Sequence, residues 1–211
     1  ASFYIDGTEH KLNKNSGKNS IHGGNKGFHT RIFDVKELEN GIELSYTSPD
    51  GEEGHPGNLE FKVFYLLEEN RLILEYKAVS DKKTYINPTN HSYFNLSGNT
   101  ERNGDEQILK IEADNVCELA DDSVPTGRFI NAENTAFDLR KGIVLKKGIE
   151  KGHPQFEITR AYDHPFVLNI VEKEKPQITL FSEYSGIEMK VYTDENAAVV
   201  YTGNYLDDMP L

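Results

Sequence analysis

Apolar and polar side chains alternate along much of this chain. Leu59, Phe61, Val63, Tyr65 and Leu67 fall on one face of a run whose other face is partly apolar through Phe64 and Leu66. After Asn70, Leu72, Leu74, Tyr76 and Ala78 alternate again. A period of two is that of a β-strand. The two runs are therefore expected to pair antiparallel, buried on one face and partly covered on the other. Phe3, Tyr4 and Ile5, then Asp6-Gly7, then residues 8–12 read as a hairpin with a tight turn. Strands are predicted at 28–35 and 42–47, joined around Asn40-Gly41, and at 108–113, 155–159, 166–171, 177–183, 186–193 and 197–201. Residues 13–27 and 48–58 are polar and glycine-containing and read as loops. No segment of about ten residues or more keeps a helical period. Neither an internal repeat nor a low-complexity linker interrupts the pattern. The expected fold class is all-β: one antiparallel domain of hairpins and meanders over residues 1–211, built from two packed sheets.

Composition narrows the function classes. A chain of 211 residues can bury a sizeable core. Lys and Arg total 23 against 35 for Asp and Glu, a formal net charge of -12. An acidic surface argues against nucleic acid and anionic membranes as partners. No run approaches transmembrane length. The single cysteine, Cys117, rules out an internal disulfide framework and fits a reducing compartment, so a cytoplasmic location is expected. The opening Ala1-Ser2-Phe3-Tyr4 has no initiator methionine and no signal-peptide pattern; it reads as mid-strand.

Candidate chemistry gathers in three stretches. Residues 87–96 (Asn-Pro-Thr-Asn-His-Ser-Tyr-Phe-Asn-Leu) follow a strand-like run and close on a Ser97-Gly98-Asn99 turn. If extended, they put His91, Tyr93 and Asn95 on one face, and Asn90, Ser92, Phe94 and Leu96 on the other. An imidazole beside a phenol and an amide is costly to bury without partners. The plain alternative is a hairpin edge with solvated polar residues. Second, His22-Gly23-Gly24 is followed closely by Gly27-Phe28; glycines let backbone approach a ligand, and the alternative is a loop with a surface histidine. Third, Asp163 precedes a predicted strand. It reads as a turn-initiating residue or as a rim carboxylate whose two oxygens accept vicinal hydroxyls. Phe28, Tyr93 and Phe94 could supply apolar contact to a sugar ring or could simply be core. The seven histidines form no HxH, HxxxH or HExxH pattern, so a metal is not expected, and no P-loop or dinucleotide fingerprint is present.

Taken in order, these stretches resemble the aldose 1-epimerase (galactose mutarotase) family. The matching segments are Asn19-Ser20-Ile21-His22-Gly23-Gly24 with Gly27-Phe28, residues 48–59, residues 88–98, Pro125-Thr126-Gly127, Phe137-Asp138, Tyr162-Asp163-His164 and Tyr201-Thr202-Gly203-Asn204. The resemblance implies an antiparallel β-supersandwich without metal or organic cofactor. It also implies interconversion of the α and β anomers of a free aldose. It assigns His91 as the acid on the ring oxygen, His22 as the second catalytic histidine, and Asp163, with Asn90 and Tyr93, to substrate binding. These residues are expected to meet in one concave cleft. The chemistry asks for the same parts. Ring opening takes a proton from one oxygen and gives one to its neighbour, which a carboxylate and an imidazolium on opposite sides can do together. Histidine suits the acid because its ordinary pKa is about 6.5.

The chain departs from the family in three ways. The family arginine would lie just before Ala1. The base glutamate would lie beyond Tyr201-Thr202-Gly203-Asn204, whereas the chain closes on Asp208-Met209-Pro210-Leu211. Val199 stands where many members have a glutamine. Residues 1–211 are thus expected to be a central piece of the family domain, with little turnover by themselves. Two rivals remain at this level: a non-catalytic sugar-binding β-sandwich, and a branch acting on a hexose 6-phosphate. The latter would want an Arg and Lys cluster at the cleft rim.

Overall fold

The computed structural model describes residues 1–172 and 174–206; the closing Asp208-Met209-Pro210-Leu211 lies outside them. The chain divides into two compact units, Ala1–His91 and Ser92–Leu211.

In the first unit, β1 (Ser2–Ile5) and β2 (Thr8–Lys11) form the expected hairpin. Asp6 and Gly7 both have positive φ, 48° and 81°, the backbone of a tight turn that matches strand twist. Phe3 anchors the hairpin among His10, His55 and Tyr85, with ring centroids 5.2–5.5 Å away. A four-stranded sheet follows, in the order β3 (Asp34–Leu38), β4 (Gly41–Ser48), β5 (Leu59–Glu68) and β6 (Arg71–Ser80), antiparallel throughout. The face read from alternation is the buried one: Leu59, Phe61 and Val63 are buried, and Phe28, Phe33, Leu44, Tyr65 and Tyr76 pack against them. Each such burial contributes about 1.5–3 kcal/mol. Leu67, at the end of that face, is 63% exposed. The loop at 48–58 is tied down by its own side chains. Glu52 accepts from Tyr46 Oη (2.8 Å) and Ser48 Oγ (2.6 Å) and pairs with Arg31. Asp50 accepts from the Gly57 N–H at 2.6 Å and pairs with Lys82.

The second unit holds two four-stranded antiparallel sheets. Its elements are β7 (Ile108–Ile111), β8 (Asn115–Leu119), β9 (Pro125–Asn131), β10 (Ile143–Val144), α1 (Leu145–Lys151), α2 (Phe156–Thr159), β11 (Asp163–Val167), β12 (Ile178–Phe181), β13 (Glu188–Val191) and β14 (Ala197–Tyr201). One sheet runs β10-β7-β12-β13 and the other β14-β11-β8-β9. They share a core: Leu109, Ile111 and Leu180 come from the first, and Val116 and Phe166 from the second. Phe137, from a connecting loop, sits at its centre. It is fully buried, with His164, His153, Phe156, Tyr162 and Phe166 at centroid distances of 4.7–6.1 Å.

Several local expectations are corrected. Residues 28–35 are not one strand. Phe28–Thr30 is a 3-10 turn closed by Thr30 N and Oγ1 on the Gly27 carbonyl, and β3 begins only at Asp34. The turn lets Phe28 stack on Phe61 at 5.0 Å, a contact a straight strand would forfeit. Residues 155–159, predicted as a strand, contain α2; Gln155 bonds both main-chain groups of Leu119 instead of joining a ladder. The strand predicted at 166–171 starts earlier, at Asp163. Strands β8 and β9 were not legible. Residues 87–96 join no β ladder among the described residues, and the division between the units falls between His91 and Ser92.

Candidate active site

His22 stands at φ 54°, a left-handed conformation that few non-glycine residues adopt, and Gly23 (82°) and Gly24 (85°) continue it. Three such residues in a row reverse the chain sharply. Asn15 holds the reversal together. Its Oδ1 accepts from Ile21 N–H at 2.8 Å, and its Nδ2 donates to the Ile21 and Gly24 carbonyls, each at 2.8 Å. Gly27 closes on the same turn: a Cβ there would sit 2.3 Å from the His22 carbonyl oxygen. From the other side Glu53, itself at φ 51°, reaches into the loop. Its Oε2 accepts from Asn13 Nδ2 (2.9 Å) and Asn25 N–H (3.0 Å), and its Oε1 from Lys26 N–H (3.1 Å). Burial pushes this carboxyl up, but the three donors together outweigh it and leave it below the usual range.

This loop delivers His22 to His91. The two imidazoles meet edge to face, with centroids 5.2 Å apart and planes at 84°. Two rings this close can address neighbouring oxygens of one small molecule. Asn90, one residue before, is half-buried and donates through Nδ2 to Tyr65 Oη of β5 at 3.1 Å. One arm of its amide is thereby committed to the sheet.

Asp163 and Tyr93 belong to the second unit. Asp163 opens β11, opposite Tyr201 of β14, and is half-buried. The Tyr93 ring lies 5.9 Å from that of Tyr201. Tyr201 thus has Asp163 opposite it in the ladder and Tyr93 against its ring, and burial, then Tyr201, then the Asp163 carboxylate push the Tyr93 phenol up. Behind Asp163 the packing is tight. Its N–H donates to Nδ1 of His164 at 3.1 Å, and His164 is fully buried against Phe137. Burial, then His153, hold the His164 imidazole down at about 4. The corner leading into β11 is fixed by Asn204, whose Nδ2 donates to the Thr159 (2.9 Å) and Tyr162 (2.8 Å) carbonyls. Thr202 Oγ1 donates to Asn204 Oδ1 at 2.6 Å.

The structure thus brings His22 together with His91, and Tyr93 into range of Asp163. Asn15, Glu53, Tyr65 and Asn204 hold these groups and were missed as positioning residues. Asn204 carried a signal, as the last residue of the Tyr-Thr-Gly-Asn segment, but its hydrogen bonds reach more than forty residues back. Among the described residues no three His, Cys, Asp or Glu side chains group as a metal ion would need, and no helix is long and apolar enough to cross a membrane.

Fold and side chains define an antiparallel β protein whose glycine-rich loop sets one imidazole against another. The aldose 1-epimerase family model matches residues 1–210, and the chain belongs to that family. It is 39% identical over 206 residues to the galactose mutarotase of Bos taurus, covering 98% of this chain and 59% of that protein. It is 37% identical to the aldose 1-epimerase of Haemophilus influenzae, covering 100% and 62%. The crystal structure of galactose 1-epimerase from Lactobacillus acidophilus superposes with a TM-score of 0.85 at 31% identity, covering 97% of this chain and 60% of that one. The all-β expectation is borne out by this likeness. The chain spans about three fifths of the length of the relatives it matches.

Proposed function

We propose that this protein is an aldose 1-epimerase that interconverts the α and β anomers of a free hexose. The observation that carries the reading is the edge-to-face pair of His22 and His91 in a chain of this family. In the proposed reaction His91, as imidazolium, gives its proton to the ring oxygen while the bond from that oxygen to the anomeric carbon breaks. A base, by the family resemblance a glutamate, takes the proton of the anomeric hydroxyl. The aldehyde turns about its C1–C2 bond, and the reverse transfers close the ring on the other face. Protons and electron pairs balance, and no oxidant or cofactor enters. His22 hydrogen-bonds the sugar near the reacting centre. Asp163 accepts sugar hydroxyls through its two oxygens, and Asn90 and Tyr93 supply further contacts. Family membership favours this reading over a sugar-binding module or a hexose 6-phosphate enzyme. A cytoplasmic location, the expectation from a single cysteine, is part of the proposal.

His91→Asn in the full-length protein tests the role of the acid. A group that protonates the leaving ring oxygen acts in the transition state, so kcat should fall about 10²–10⁴-fold while KM changes little. The readout is polarimetry on fresh α-D-galactose and α-D-glucose. Near wild-type kcat would remove His91 from the role.

A further inference from the structure

We propose that Glu53 is a positioning residue for His22 in this reaction, acting through the loop that its carboxylate ties down; the inference rests on the epimerase reading above.

Glu53 lies thirty-one positions from His22 in a different loop, and its side chain reaches into the His22 loop. The carboxylate receives Asn25 and Lys26 main-chain N–H groups on separate oxygens, and Asn13 Nδ2 on Oε2. All three partners are donors, which an acceptor-only carboxylate satisfies. The Glu53 carbonyl also accepts from the Asn13 N–H. The packing is as specific as the bonding: a Cβ at Gly24 would lie 2.2 Å from Glu53 Oε2, so the loop leaves room there for the carboxylate. Gly54 fits equally closely, since a Cβ on it would meet the Lys11 carbonyl oxygen at 2.0 Å. Glu53 meanwhile holds an uncommon left-handed backbone, φ 51°, which a less constrained residue would leave. Asn15 fixes the loop at Ile21 and Gly24, and Glu53 at Asn25 and Lys26. Between them the segment is anchored on both sides of the turn, and the ring it carries is the one set against His91. Such anchoring matters because a misplacement of about 1 Å at a reacting centre can cost ~10²-fold in rate.

Glu53→Gln replaces one acceptor oxygen by an NH2 that faces a donor, with almost no change of size. In the full-length protein kcat for mutarotation should fall about tenfold or more, with KM changed less. The decisive arm is a double-mutant cycle. In a His22→Asn background, Glu53→Gln should cost nothing further, because a residue acting through His22 has nothing left to position. Imidazole cross-peaks in long-range ¹H–¹⁵N spectra give a readout independent of activity: those of His22 should move in Glu53→Gln, and those of His153 and His164 should not. Asn13→Ala, which removes one donor from Oε2, should give a smaller loss of the same kind and serves if Glu53→Gln fails to fold. Wild-type kcat in a folded variant, or the same fold-loss with and without His22, would overturn the proposal. Unmoved His22 signals would overturn it as well. A full-length wild-type protein that does not mutarotate sugars would instead overturn the epimerase reading, while the spectra still decide whether Glu53 holds His22.

Discussion

At the scale of single residues, His164 shows how a titratable group can serve by staying neutral. It accepts the Asp163 N–H through Nδ1, so the proton of the neutral ring resides on Nε2, which is buried without a partner. Protonating Nδ1 would break that bond and bury a charge. The folded-state value of about 4 lies below the ordinary 6.5, so between those pH values the unfolded chain binds more protons than the native one. The resulting stability is fully present above pH 6.5 and lost as pH falls through about 4, with an upper limit near roughly 3 kcal/mol. Urea unfolding at pH 7 and pH 4.5 should show the loss, and His164→Phe should flatten it. An identical pH dependence in that variant would end the assignment. Asp138 titrates lower: its hydrogen bonds to Arg140 hold it at about 2, so its contribution is present above pH 3.8 and fades through about pH 2.

At the scale of elements, corners place the side chains that count. The segment from α2 to β11 carries Asp163 and is closed by Asn204, which fills the Thr159 and Tyr162 carbonyls with a single amide. Asn204→Ala takes its side-chain donor from the Thr159 carbonyl, while the Tyr162 carbonyl keeps the Thr202 N–H at 3.2 Å. The expected cost is about 1–3 kcal/mol, read by urea unfolding. The KM for sugar should rise with it, since the start of β11 loses its tether. Unchanged stability and KM would mean that the corner holds its shape through Tyr162 and the core alone. In the first unit, Gly41 plays a related part. A Cβ there would meet the Tyr65 carbonyl oxygen at 2.0 Å, so β4 can approach β5 only with glycine at that position.

At the scale of the whole molecule, protection should follow the two cores. Leu59, Phe61 and Val63 anchor one unit, and Ile111, Val116 and Phe166 the other. In native-state hydrogen exchange the amides of β5 and of β8 and β11 should be the slowest in their units. Residues 83–95, which join no ladder among the described residues, should exchange faster. Equal protection in that stretch and in β5 would contradict this. The net charge of -12 is a property of the surface and bears on partners, not on which strands pair.

The sequence by itself determined the parts governed by local physics. A ten-residue alternation such as 59–68 can bury one face only as a strand, and Asp6-Gly7 or Asn40-Gly41 between apolar runs can only turn. The His22 and His91 segments stand out for their glycines and polar residues, but each alone reads equally as a plain loop or hairpin edge, and it is the ordered series of segments resembling the family that singles them out. Tertiary structure decided what short runs could not. Residues 155–159 are too few for periodicity to choose between strand and helix; the choice was made by Gln155 bonding Leu119 and by Phe156 joining Phe137. Likewise, nothing in the spacing of residues 13, 15, 22 and 53 announces that two side chains converge on one loop to hold a histidine ring. The Glu53 contacts exist only once the intervening segments have folded, because hydrogen bonds of such sequence separation have no local signature, whereas the Asn15 bonds span six to nine residues inside the loop itself.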